Sequence, residues 1–179
     1  MRTTRIWLLA ILALAGCSSP QGKFQTQADP AYHSKLERVL VYYFNVDTTT
    51  TLGRDFSDRF ASRLSTLLAQ KNVPSEVVRL ERSALDRNAP IQAAAARFRP
   101  GQYFTFGITR VASVSGAHRA VPGDLPQFQS DMSATLEFSL MDARNGRTVW
   151  RASSFYYAPP RAEDVADQVI DQLAAGHFL

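Results

Sequence analysis

The chain has 179 residues, enough for one domain with a real core. Its 20 Lys and Arg face 16 Asp and Glu, a small positive excess that makes a weak case for nucleic acid. A single cysteine, Cys17, excludes an internal disulfide framework.

The first residues read as a leader. Arg2 and Arg5 form a positive start, Ile6 to Leu14 is an unbroken apolar run, and small Ala15 and Gly16 precede Cys17. The run is well short of the roughly 20 residues a spanning helix needs. Leu14-Ala15-Gly16-Cys17 resembles the lipobox of bacterial lipoproteins. That resemblance implies cleavage before Cys17, an S-diacylglycerol on its thiol and an acyl chain on its new amino group. Several acyl chains hold a protein stably where one chain does not. Ser18 in place of Asp resembles the pattern sent to the outer membrane, so the resemblance implies a periplasmic, lipid-anchored protein. Without Arg2 and Arg5 the basic count falls to 18 against 16 acidic residues, and an envelope location leaves no nucleic-acid partner.

The expected organisation is a signal peptide at 1–16, a lipidated cysteine with a flexible tether at 17–35, and one globular domain at 36–179. The tether is polar, rich in Gln and Pro, and without apolar periodicity. Arg38 to Phe44 is apolar on both alternating faces, which predicts a central strand covered on both sides. Thr48 to Thr51 offer helix caps, and Phe56, Phe60, Leu64, Leu67 and Leu68 recur at helical spacing up to about Asn72. Glu76 to Leu80 predicts a short strand. Pro90 opens a second helix with Ile91, Ala94, Ala95 and Phe98 on one face, stopped by Pro100-Gly101.

The second half is rich in strands. Tyr103 to Val114 alternates, with Phe104, Phe106, Ile108, Ala112 and Val114 expected on one face. Met132, Ala134, Leu136, Phe138 and Leu140 alternate with Asp131, Ser133, Thr135, Glu137 and Ser139, the pattern of a strand with one face in water. Asn145-Gly146 marks a hairpin, and Thr148 to Tyr157 is its return strand. A three-residue loop of Arg144, Asn145 and Gly146 would set Leu140 opposite Trp150, Phe138 opposite Ala152 and Ala143 opposite Arg147, with Gly146 at positive φ. Pro159-Pro160 precede a last helix with a Val165, Val169, Ile170, Leu173 stripe, closed by Gly176. The predicted order is β-α-β-α-β-β-β-α. The predicted class is α/β, a two-layer α+β sandwich whose mixed sheet of about five strands carries its helices on one face.

Catalytic chemistry finds little support. His33, His118 and His177 lie apart, with no helical metal spacing, and no phosphate loop or nucleophile elbow is present. Ser115, His118 and Asp124 are ordinary polar-loop residues. Asp131 and Glu137 sit roughly 20 Å apart along one strand, too far for a glycosidase pair. No catalytic residue, metal or cofactor is expected. The long connection from Ser115 to Ser130 stands out for its length and its two apolar residues. It makes His118, Arg119, Leu125 and Phe128 the candidate partner contacts.

Leu140-Met141-Asp142-Ala143-Arg144-Asn145-Gly146-Arg147-Thr148-Val149-Trp150 before a final amphipathic helix looks like small outer-membrane lipoproteins. They include the activators of penicillin-binding proteins and the curli secretion lipoprotein, with an α/β domain similar to the amino-terminal domain of TolB. The resemblance implies a non-catalytic domain that binds an envelope protein in envelope assembly or maintenance. An auxiliary lipoprotein of a lipid-transporting ABC system is the alternative, and an envelope hydrolase a more distant one.

Overall fold

The structure is a computed structural model that describes residues 23–44, 55–81, 84–116, 129–157 and 160–179, the side chains of 110–116 and 129–132 excepted. In chain order the elements are β1 Lys23–Ala28, β2 Val39–Phe44, α1 Phe56–Gln70, β3 Ser75–Leu80, α2 Ala89–Phe98, β4 Gln102–Gly116, β5 Gln129–Asp142, β6 Thr148–Tyr156 and α3 Ala162–Ala175. The class is α/β, as expected. Six strands form one mixed sheet in the order β1-β6-β5-β4-β2-β3. β3, β2 and β4 are parallel, and the other pairings are antiparallel.

The added strand comes from the segment read as tether. β1 pairs antiparallel with β6, from Lys23 opposite Phe155 to Ala28 opposite Trp150. Its sequence, KFQTQA, has one large apolar side chain, too little for a periodicity signal. Phe24 supplies the anchor by stacking on Phe138 at 5.8 Å, and the edge of β6 supplies the backbone partners. Order continues past β1. Asp29 N–H donates to the Val149 carbonyl (2.9 Å), and buried Gln102 donates through Nε2 to the Tyr32 hydroxyl (3.0 Å) and the Lys35 carbonyl (3.3 Å). Its Oε1 accepts from Glu37 N–H (3.2 Å). A polar stretch is thus held by one buried side chain whose bonding capacity nothing in the local pattern announces.

The helices are not all on one face. α1 and α3 pack together over the sheet, and Val41, Tyr43, Phe104, Phe138, Leu140 and Trp150 share one core with Phe60, Leu64, Val165 and Val169. Leu40, Leu80 and Ala94 are also buried but lie outside that core. They belong to the reverse face, where α2 packs on β2 and β3 and Arg38 lies over the Phe98 ring at 4.6 Å. Two successive parallel crossovers of one hand cause this. β2 to β3 moves outward, β3 to β4 moves back across β2, and the second helix must land on the opposite side.

The expected register at the last hairpin holds in the core. Leu140 pairs with Trp150 and Phe138 with Ala152, Gly146 has φ 69°, and Trp150 is buried against Phe104. The turn itself differs. Asp142, not Ala143, pairs with Arg147, its N–H donating to the Arg147 carbonyl (2.9 Å). The register shifts between Leu140 and Met141, leaving Val149 as an extra residue in β6. That bulge buries two consecutive apolar side chains, Val149 and Trp150, which a regular strand would send to opposite faces. A second bulge at Thr109 ends the predicted alternation of β4, so Val111 rather than Arg110 pairs with Ala134. α1 begins after Asp55, which makes no side-chain cap, and Thr48 to Thr51 lie outside the described residues.

Candidate binding face

The antiparallel half of the sheet has one face without a helix among the described elements. Glu137 and Ser139 of β5, Arg151 and Ser153 of β6, and Gln25 and Gln27 of β1 project there. They line a shallow concavity of about 590 Å³. Register explains the grouping: Ser139 is opposite Arg151, Glu137 opposite Ser153, and Arg151 in turn opposite Gln27. One carboxylate, one guanidinium, two amides and two hydroxyls therefore share a surface whose underside is the aromatic core. The residue types can bind a polar partner through many hydrogen bonds. They do not form a nucleophile with a base, or a pair of close carboxylates. A second hollow of about 400 Å³ borders it at Asp29, Arg147 and Arg151, with Arg147 donating to Asp29 at 2.7 Å.

Another charged network lies where the parallel strands end. Tyr43 donates its phenol to Asp58 Oδ1, and Arg79 donates to Asp58 Oδ2 at 3.2 Å. Burial first, then the hydrogen bond to Asp58 and its negative charge, raise the Tyr43 pKa. The phenol stays protonated and donating at any physiological pH. Burial is also the main cause of the raised pKa of Tyr42 and of Tyr156, which donates to Gln168 at 3.3 Å. Tyr43 and Tyr156 tie helices to strands through these bonds. No cluster of three or more His, Cys, Asp or Glu among the described residues could hold a metal.

Of the candidate residues, Cys17, His118, Arg119, Leu125 and Phe128 lie outside the described residues, so no geometry brings them together. The connection that carries the last four is shorter than its sequence suggests. Ser115 pairs with Ser130 and Gly116 with Gln129, leaving 117–128 between the strands. Of the polar face, the sequence pattern turns Glu137 and Ser139 of β5 outward, with Arg151 and Ser153 of β6 beside Ser139. β1, which completes the concavity, has no sequence signal beyond Phe24.

No family model matches the chain, and no curated protein matches it in sequence. Similarity appears among solved structures. A variant of the PelC dodecamer from Paraburkholderia phytofirmans superposes with a TM-score of 0.51 at 14% identity, over 88% of this chain and 99% of that one. Another crystal form of the PelC dodecamer gives 0.48 at 13% identity, over 83% and 91%. A PDZ domain protein from Parabacteroides distasonis gives 0.43 at 11%, over 87% of this chain and 34% of that one. The chain shares its fold with PelC. Identity this low carries the fold and nothing finer. No helix among the described residues is long and apolar enough to cross a membrane.

Proposed function

We propose that this chain is a lipid-anchored, non-catalytic protein of the periplasmic face of the outer membrane that binds another envelope component. The observation that carries the anchor is Leu14-Ala15-Gly16-Cys17 behind a charged, short apolar leader. The polar concavity on β5, β6 and β1 supports a binding role, because it collects donors and acceptors without the pairings that catalysis needs. The fold shared with PelC, solved as a dodecamer, makes further copies of this chain the first partner to test. A subunit of this kind would present one face to its neighbours and another to the component it serves.

Two measurements test the reading. Mass spectrometry of the mature protein should find an acylated Cys17 at its amino terminus, and a start at any other residue overturns the anchor. Crosslinking in intact cells, followed by native mass measurement after detergent extraction, should recover a complex. Multiples of this chain identify self-assembly, and a different envelope protein identifies a hetero-partner. A monomer with no crosslinked species overturns the binding role.

A further inference from the structure

The exposed apolar side chains are not scattered. Five large hydrophobic residues are exposed among the described ones: Phe44, Val77, Leu85, Phe155 and Tyr157. Four of them lie at one end of the sheet. Phe44 is the last residue of β2, Leu85 follows β3, and Phe155 and Tyr157 close β6. β2, β3, β4 and β6 all finish at this end and β1 and β5 start there, with Lys23 opposite Phe155 and the β4–β5 pair running on past that row to Gly116 and Gln129. Leu85 and Tyr157 are 107% and 79% exposed, and Phe155 meets Tyr157 edge to face at 4.8 Å. Arg87 lies over the Phe44 ring at 5.8 Å. Aromatic rings with a polar tip or a neighbouring cation suit the boundary between water and lipid headgroups.

The second observation is where the chain leaves the sheet. Because β1 begins at Lys23, only Ser18 to Gly22 separate it from Cys17. Six residue steps cover at most about 20 Å even when fully extended. The reach expected of a tether running to residue 35 is therefore absent. With acyl chains on Cys17, Lys23 and the aromatic residues beside it are held within that distance of the bilayer. The opposite end, at the Asp142–Arg147 hairpin, lies a strand length of roughly 30 Å farther away.

We infer that the end of the sheet bearing Lys23, Phe44, Leu85, Phe155 and Tyr157 rests on the lipid surface, fixing the domain in one orientation on the membrane. This rests on the acylation of Cys17 proposed above. Insertion of a few apolar side chains adds little affinity beside the acyl chains, but it selects which end faces lipid. The polar concavity, on the side of the sheet, and the hairpin would then face the periplasm.

The acylated full-length protein in vesicles of phosphatidylethanolamine and phosphatidylglycerol with brominated acyl chains provides the test. Trp7 lies in the leader, so Trp150 is the only tryptophan of the processed chain, and its burial keeps its emission constant. Tyr157→Trp should lose at least about half of its added emission to bromine, given side chains that sit 5–10 Å into the interface. Arg144→Trp, at the hairpin, should lose none. Phe155→Ser with Leu85→Ser should bring the Tyr157→Trp signal toward that of Arg144→Trp. Equal quenching at both positions, or none at either in vesicle-bound, acylated protein, overturns the orientation and leaves the anchor standing. A processed chain with unmodified Cys17 overturns both.

Discussion

The parallel strands β3, β2 and β4 and the antiparallel strands β5, β6 and β1 belong to one sheet but meet their surroundings differently. β2 is sandwiched, with Val39, Val41 and Tyr43 in the main core and Leu40 buried on the side that α2 covers. β5 and β6 bury only one side. Leu136, Phe138, Leu140, Trp150 and Ala152 point inward, whereas Glu137 and Arg151 point into the open concavity. Stability should therefore be two-sided in the first group and one-sided in the second. Surface available for partners belongs to the second.

The largest expected effects fall where both regions share the core. Phe138 touches Phe60 (5.7 Å), Phe24 (5.8 Å) and Phe104 (6.4 Å) between ring centres. Phe138→Ala should cost about 3–5 kcal/mol in denaturant unfolding, and Leu40→Ala on the reverse face about 2–5 kcal/mol. If Leu40→Ala proved neutral, α2 would not be a true second layer and the contrast between the two halves would fail.

That contrast was partly visible in the sequence. The doubly apolar run at 38–44 and the alternation of β5 reveal which strand is sandwiched and which is half-wet. The amphipathic spacing of α1 and α3 likewise reveals their buried stripes, because each pattern is set by burial over several consecutive residues. β1 was not legible, since a strand recruited by an existing edge needs only one anchor such as Phe24. The side on which α2 sits follows from crossover handedness, a property of three strands together and not of the α2 sequence. The bulges at Thr109 and Val149 arise from how two strands fit. As for the site, Glu137 and Arg151 are visible as outward residues, but their meeting with Gln25 and Gln27 depends on β1.

Smaller effects sharpen the comparison within each half. In the antiparallel half, Gly146 adopts φ 69°, where a β-branched residue is strained, so Gly146→Val should cost about 1–3 kcal/mol by thermal or denaturant unfolding. A Cβ there meets no atom within 4 Å, so the cost comes from the backbone and not from a clash. Gly146→Ala should therefore recover only part of it. In the parallel half, Tyr43→Phe removes the bond to Asp58 and should cost about 1 kcal/mol at neutral pH. The raised Tyr43 pKa adds a pH signature. Above about pH 10 an unfolded tyrosine releases its proton while the folded one keeps it. The stabilisation is thus complete below that pH and declines as pH rises through the folded value. Tyr43→Phe should lose less stability than the parent between pH 9 and 11 (about the range of tyrosine ionisation), and equal slopes would remove the linkage.

The smallest expected change in stability is at the polar face, and it decides what that face is for. Arg151→Ala and Glu137→Ala remove exposed side chains from strands whose inward neighbours carry the packing, so each should shift unfolding by no more than about 0.5 kcal/mol. If the concavity binds an envelope component, the same substitutions should weaken the crosslinked complex in cells while protein level and melting temperature stay at the parent's values. A polar face kept only for solubility predicts no loss of complex. Charge reversal strengthens the discrimination: Arg151→Glu puts a second carboxylate beside Glu137 on the neighbouring strand, which disfavours an acidic partner more than deletion does. A partner lost with Arg151→Glu and recovered on adding Glu137→Arg would place the contact at this pair, on the face of the antiparallel half that no helix among the described elements covers.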